Sequence, residues 1–413
     1  MIEIEFSMYK TKSREKMKKL SPVITLVVTS IYLIFFLEGC RKEEIIEPPA
    51  AVAPLWEKSS FSFSRDYFPT CLVVSDSLNI WGAAVSCPGL EANLPIKVIF
   101  SHDGGKTWDS RDMINSNKVT SGLVSPVDGN TAFIYINEEG LMKTTNGGST
   151  WTKVREELDT CLFGSGLHFF DVNTGIGIFA VIHNAIVDDT LAIYKTTDGG
   201  LNWSLLPSAL WGGVIPGEAK TLWMTGGGIK SAGDTIGYVT GCGRIIISKD
   251  RGMTWDVIKF PGPNYESLYC ISMINSKTFS VASYGRITFV DDQWEEQPYT
   301  YSKILTTEDG GNSWSAETAI PTTFASLSNV PWNKPVILAN CFYDIVPSGT
   351  FISTDKGNTF TEVDSLKHSI LLADFYSMNH GFGISFGYGI PGETANYIYR
   401  WNPGILYEKK ILQ

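Results

Sequence analysis

The sequence predicts an all-β chain made of repeated four-stranded antiparallel units, and three observations carry that expectation. The first is composition. Of 413 residues, 43% are hydrophobic and only 18% charged, so the chain is built to pack, and its 39 glycines and 12 tryptophans suit short strands joined by tight turns. The second is a recurring octapeptide, Ser/Thr-x-Asp/Asn-x-Gly-x-x-aromatic, found at Ser101–Trp108, Thr144–Trp151, Thr196–Trp203, Ser248–Trp255, Thr307–Trp314 and Ser353–Phe360. The third is its spacing. From one Asp or Asn to the next the steps are 43, 52, 52, 59 and 46 residues, and a further 47 reaches Asn402 in a worn seventh copy, Arg400–Tyr407. Repeats of about 50 residues, each with room for four strands, are propeller blades. Seven of them predict a seven-bladed β-propeller over residues 56–413.

Residues 1–39 are set aside before any fold reasoning. A basic stretch from Lys10 to Lys19 precedes an apolar run, Val23–Leu37, of fifteen residues. A spanning helix needs about 20 apolar residues, so this length fits a signal-peptide core instead. The run ends in Leu37-Glu38-Gly39-Cys40 and resembles the bacterial lipoprotein signal, with Glu38 where a small residue is usual. That resemblance implies lipidation of Cys40 and a mature protein outside the inner membrane. The following Arg41-Lys42-Glu43-Glu44 looks like the surface-export signal of Bacteroidetes lipoproteins. Residues 40–55, rich in Pro and Ala, are expected to be an extended tether.

The octapeptides resemble the Asp box, or bacterial neuraminidase repeat. The chemistry of this motif is structural. A side-chain carbonyl oxygen accepts local backbone N–H bonds, glycine supplies a positive φ, and the aromatic packs beneath the turn. Asp103, Asn146, Asp198, Asp250, Asp309, Asp355 and Asn402 are therefore expected to build turns and not to catalyse. Six of the repeats carry an earlier turn on an Asp or Asn: Asp76, Asp128, Asp171, Asp234, Asn275 and Asn379. The Trp56-Glu57-Lys58 segment resembles the strand that follows a box, and is expected to complete the last blade by pairing with the C-terminus.

A net charge of −10 argues against nucleic acid, since phosphate binding needs a basic face. Five histidines show no metal-ligand spacing, and no metal or cofactor is expected. Besides Cys40 there are six cysteines. They recur at equivalent places in separate repeats, which reads as buried small residues, with Cys71 and Cys87 as the one pair a hairpin could bring face to face.

The box and the earlier turn share one face of a blade, and insertions collect on the other. These are Pro88–Pro95, His183–Thr190, Pro207–Lys220, Asp291–Ser302, Tyr343–Ser348 and Tyr388–Asn396. That second face is the expected ligand-binding face, through Trp211, Arg244, Tyr265, Arg286, Trp294, Tyr343 and Tyr388, because loops on a rigid scaffold carry recognition. A glycoside hydrolase is the alternative, since Asp boxes are common in sialidases and xyloglucan hydrolases. The chain lacks the Arg-Ile-Pro motif of sialidases, and one propeller is half of the paired arrangement in the xyloglucan enzymes. The Gly-Gly boxes look more like the propellers of the photosystem II stability and assembly factor family. That resemblance implies a non-catalytic assembly or binding module; the chain is expected to be a monomer, held at the cell envelope by a lipid and facing a protein or glycan.

Overall fold

The computed structural model describes residues 55–404, apart from 88–93, 116–121, 138, 157–161, 182–189, 214–227, 241–242, 262–266, 291–295, 316–317, 321–323, 331–335, 342–348, 365–369 and 387–393. The signal, Cys40 and the tether lie outside them, as do the expected sites Tyr265, Trp294, Tyr343 and Tyr388.

The described strands form four-stranded antiparallel sheets, the blades of a β-propeller. In chain order, sheet one is Tyr67–Val74, Ile80–Ser86, Pro95–Ser101 and Asp109–Asn115. Sheet two is Gly122–Pro126, Ala132–Ile136, Gly140–Thr144 and Thr152–Arg155. Sheet three is Leu162–Phe169, Gly175–Val181, Thr190–Thr196 and Ser204–Leu205. Sheet four is Lys230–Ala232, Thr235–Val239, Arg244–Ser248 and Asp256–Lys259. Sheet five is Ser267–Met273, Phe279–Val290, Glu296–Thr307 and Thr318–Ile320. Sheet six is Phe324–Val330, Val336–Cys341, Thr350–Ser353 and Thr361–Asp364. Sheet seven is Ile370–Ser377, His380–Ser385 and Ala395–Trp401, completed by the N-terminal strand Trp56–Ser64.

Second strands such as Ala132–Ile136 are buried along their whole length, because each sheet is covered on both faces by its neighbours. Trp81, Val98 and Phe100 pack against Val124 and Ile134 of the next sheet. Phe133 and Tyr135 pack against Phe169 and Phe179, and Ile176 and Ile178 against Ile236 and Tyr238. Leu72, Ile80 and Ile99 of sheet one meet Phe382, Ile384 and Ile398 of sheet seven. Sheet seven therefore packs on sheet one, and the succession returns on itself.

Hydrogen bonds tie the innermost strands to one another. Thr70 Oγ1 donates to Gly122 O at 2.8 Å, Phe169 N to Ser125 Oγ at 2.7 Å, Asn329 N to Ser272 Oγ at 2.7 Å, and Val74 N to Asp374 Oδ2 at 2.8 Å. Lys230 of sheet four reaches Asp374 of sheet seven at 3.4 Å, a link between sheets that are not neighbours in sequence order.

The seventh sheet closes as the Trp56 segment led us to expect. Trp56–Ser64 runs antiparallel to Ala395–Trp401, with Trp56 opposite Trp401 and a register shift between Lys58 and Ser62. Trp56 Nε1 donates to Thr350 Oγ1 in sheet six at 2.8 Å, and its ring meets Trp401 edge-on at 5.1 Å. Asn402 donates from its backbone to Leu55 O at 2.8 Å and from its amide to Glu57 Oε1 at 2.8 Å. The worn seventh copy thus uses its Asn to hold the N-terminal strand.

Two expected loops take other forms. Residues 296–302 continue a long hairpin in sheet five, pairing with 284–290 from Tyr284↔Ser302 to Val290↔Glu296, consistent with their β-branched and aromatic content. Within Pro207–Lys220, Ser208–Trp211 forms one 3-10 turn. Replacing Trp56 by Ala removes a buried indole from the closing strand and is expected to cost about 3–5 kcal/mol. Urea unfolding followed by tryptophan fluorescence would measure it.

Candidate functional site

The six box turns share one geometry. The first Ser or Thr hydroxyl donates to the Asp or Asn two residues on at 2.8–3.0 Å. The same oxygen accepts the N–H of the second glycine at 2.7–3.0 Å. The Asp or Asn oxygen then accepts the N–H four residues further on at 2.8–2.9 Å. In four boxes the second carboxylate oxygen accepts a hydrogen bond from the hydroxyl of Thr107, Thr254, Ser313 or Thr359. In box two the polarity reverses, with Asn146 Nδ2 donating to Thr150 Oγ1.

These bonds set the electrostatics of the turn. Thr107's hydroxyl, then its backbone N–H, hold Asp103 down to about 2. Ser313 does the same to Asp309, also about 2. A carboxyl so stabilised as an anion is a poor proton donor.

The first glycine of the box has φ between 65° and 78° at Gly104, Gly147, Gly199 and Gly310, whereas boxes four and six place Arg251 (φ 56°) and Lys356 (φ 65°) there. Both side chains make ion pairs. Arg251 bridges Asp234 of its own sheet at 2.6 Å and Asp171 of sheet three at 2.7 Å, and Lys356 reaches Glu308 of box five at 2.6 Å. The box also docks on the earlier turn, as Gly104 N on Leu78 O, Gly147 N on Asn130 O and Gly199 N on Asn173 O, at 2.8–2.9 Å. Both turns therefore share one face.

On that face, between boxes one and two, lies a groove of about 620 Å³. Its walls come from Asn79 and Gly129 in the early turns and from the two boxes, and Trp108 and Phe100 supply its apolar surface. Asn130's amide and Ser149's hydroxyl have no partner among the described residues. The titratable side chains on its walls are His102, Asp103 and Asp109; the two carboxylates disfavour an anion, and the amide, hydroxyl and backbone groups beside them suit a peptide backbone or sugar hydroxyls. Its two carboxylates, Asp103 and Asp109, are both pushed down, Asp109 by its bond from Arg111. Neither has the raised proton affinity that a general acid for glycoside cleavage needs. Sequence reasoning missed this groove, because its walls come from two repeats whose spacing shows no contact between them.

The expected ligand face fares differently. Trp211 is 1% exposed and Arg244 8%, which corrects their expected place on a binding surface. Arg244 lies over the Trp211 ring at 5.5 Å and donates to Trp211 O at 3.2 Å and Gly213 O at 3.0 Å. Trp211 in turn packs with Ile178, Ile193 and Ile246. The pair seals the space between sheets three and four. An indole after a Pro in an insertion gives no sign of which way it faces, and here the 3-10 turn folds it inward. Arg286 sits in the sheet-five hairpin opposite Thr300.

Cys71, Cys87 and Cys270 are free thiols, so Cys71 and Cys87 are not bridged. Burial pushes them up to about 11, 11 and 12, which removes thiolate character. Cys161 and Cys242 lie outside the described residues. Among the described residues no cluster of His, Cys, Asp or Glu is placed to hold a metal ion, and no helix is long and apolar enough to cross a membrane.

The family model described as photosynthesis system II assembly factor YCF48 matches residues 96–216. Among solved structures, YCF48 bound to a D1 peptide is similar over 86% of this chain and 98% of that one, at 16% identity and a TM-score of 0.54. YCF48 from Cyanidioschyzon merolae is similar over 85% and 99%, at 14% identity and a TM-score of 0.52. An oligogalacturonate lyase in complex with manganese gives 86% and 98%, 10% identity and 0.53. At these identities the likeness is one of fold. No curated protein sequence matches the chain.

Asp103→Asn copies Asn146 and should fold with little change in Tm at neutral pH, whereas Asp103→Ala strands the N–H groups of Lys106 and Thr107 and should lower it. Because the folded Asp103 and Asp309 ionise near 2 and unfolded Asp near 3.9, the stability they add is complete above about 4 and is lost as pH falls through about 2. Melts followed by circular dichroism across that range should show a shallower acid dependence for Asp103→Asn. Trp211→Ala should cost about 3–5 kcal/mol, measured by urea unfolding; an unchanged midpoint would restore it to the surface.

Proposed function

We propose that this chain is a lipid-anchored, extracytoplasmic propeller that binds a protein without catalysis. In this reading residues 1–39 are a lipoprotein signal, Cys40 carries the lipid, 40–55 form the tether, and 56–413 form an Asp-box propeller. The seven four-stranded sheets, and the packing of the seventh on the first, support seven blades in one ring.

The observation that carries the non-catalytic reading is the use of the repeated carboxylates. Each box Asp is committed to its own backbone and to a neighbouring hydroxyl or amide, and those in the groove are held as anions. Neither groove carboxylate is left to donate a proton to a leaving group, and His102 is taken up by Asn79 and Gly147, while backbone, amide and hydroxyl groups and an indole make up the rest of the walls. That chemistry matches an uncharged stretch of polypeptide. The similar YCF48 structure holds a D1 peptide, which gives the same direction for a chain that shares its fold. A glycan is the second ligand such walls suit.

The test uses the full-length protein expressed with its signal, scored on cell-envelope pull-downs and on a glycan panel read for both bound protein and released sugar. Specific capture of an envelope protein, without sugar release, is the expected result. Released sugar would overturn the non-catalytic reading, and glycan binding without release would make the ligand a carbohydrate. In the same cells Cys40→Ala should abolish fatty-acid labelling and membrane association. Unchanged labelling would remove the anchor from the proposal.

A further inference from the structure

His102, the second residue of box one, sits where sheets one and two meet. Its Nδ1 lies 2.8 Å from Asn79 Oδ1 in the early turn of sheet one. Its Nε2 lies 3.0 Å from Gly147 O in the box of sheet two. Both partners are acceptors. A carbonyl oxygen has no proton to give, and the Asn79 amide is fixed in orientation because its Nδ2 donates to Asp76 Oδ2 at 2.8 Å. Turning that amide over would set its oxygen against a carboxylate. A neutral imidazole carries one N–H, so either tautomer would leave a ring lone pair facing an oxygen lone pair at hydrogen-bond distance.

We infer that His102 carries a proton on both ring nitrogens and acts as a proton-dependent staple between the first two sheets, joining the two walls of the groove. The surroundings fit a cation. The ring packs beside two buried aromatic rings, Trp81 at 5.2 Å with the planes 70° apart and Phe100 at 5.4 Å with the planes 37° apart, which hold it in place between the two sheets. Behind Asn79 stands the Asp76 carboxylate. Against its own partial burial, the Asn79 amide, the N–H groups of Leu78 and Asn79, and the His102 ring hold it below the ordinary carboxylate range.

The other charged groups nearby are already engaged. Asp103, next in the chain, is bound within its turn. Asp128 in the early turn of sheet two accepts the N–H groups of Asn130 and Thr131. Arg111 lies over the Phe100 ring at 5.8 Å and is paired with Asp109. Box two offers no charge, only the Gly147 carbonyl and the Asn146 amide. Gly147 is also sterically bound to this arrangement, since a Cβ there would stand 3.1 Å from Nε2.

Linkage fixes the sign. The bridge exists while the ring is doubly protonated, so its contribution to stability is present on the acid side and is lost as rising pH removes the proton. His168 works the other way. Burial lowers it to about 4, so its contribution is present above the unfolded value and fades on acidification. Comparing His102 variants with wild type cancels that background.

The decisive experiment is ¹⁵N NMR of the histidine side chains in the full-length protein, with His102 assigned by loss of its signal in His102→Gln. Two N–H-type nitrogens at about pH 6 are expected, and one pyridine-type nitrogen would overturn the inference. The second readout is Tm of wild type and His102→Gln from about pH 5 to about pH 9. The wild-type advantage should shrink as pH rises, with hydrogen exchange at the Gly147 amide quickening by about tenfold over the same change. An advantage constant with pH would mark the contact as packing only.

Discussion

A tight turn between the third and fourth strands of a blade leaves several backbone N–H groups pointing inward with no strand to receive them. Everything else in this propeller depends on satisfying those donors from within the turn. One hydroxyl and one carboxylate or amide do so in each repeat, with the Ser/Thr oxygen serving as donor to the Asp and acceptor from the second glycine. The glycine N–H taken by the Ser/Thr oxygen is buried or part-buried in all six boxes, where an unmet donor costs about 1–3 kcal/mol. The N–H groups bound by the Asp or Asn are exposed and serve to fix the shape of the turn. The constraint also explains the tolerance of the motif. Asn146 reproduces the arrangement by exchanging the direction of one bond, and Asn402 keeps part of it while holding the opposite chain end.

Once the turns are formed, they become the parts by which sheets hold each other. In five boxes the N–H of the fourth residue, Gly104, Gly147, Gly199, Arg251 or Gly310, docks on a carbonyl of the early turn of the same sheet, and residues beside them reach across the boundary. Arg251 does this through its ion pair to Asp171 and His102 through its contact with Gly147 O. Arg251 and Lys356 accept a left-handed backbone that glycine adopts more cheaply. Their ion pairs offset part of that strain, although exposed pairs contribute modestly. The inner strands repeat the logic with Thr70, Ser125, Ser272 and Asp374, each hydrogen-bonded to a neighbouring strand.

Much of the architecture was legible because its causes are local. The box residues, the early turns on Asp76, Asp128, Asp171 and Asn275, and the closing strand at Trp56 each announce themselves within a few positions of sequence. Features that depend on which repeat meets which were not legible. The spacing of His102 from Gly147 says nothing about contact. Trp211 shows why aromatics in insertions mislead: the same ring serves a ligand or seals a seam, and only the path of the 3-10 turn decides. The hairpin beyond Arg286 was hidden by Pro298 and the paired acids at 291 and 292, which suggest a loop.

The pairing of Trp56–Ser64 with Ala395–Trp401 has a kinetic consequence. The first strand of the propeller to leave the ribosome is the last to find its place, because its partner lies over 330 residues downstream. At about 5–20 residues per second it waits roughly 15–70 s. During that time the N-terminal strand has no partner and the face of the first sheet that meets sheet seven stays uncovered. The chain must remain unclosed for the whole of its synthesis, and any factor that escorts it has to let go only after Trp401 emerges.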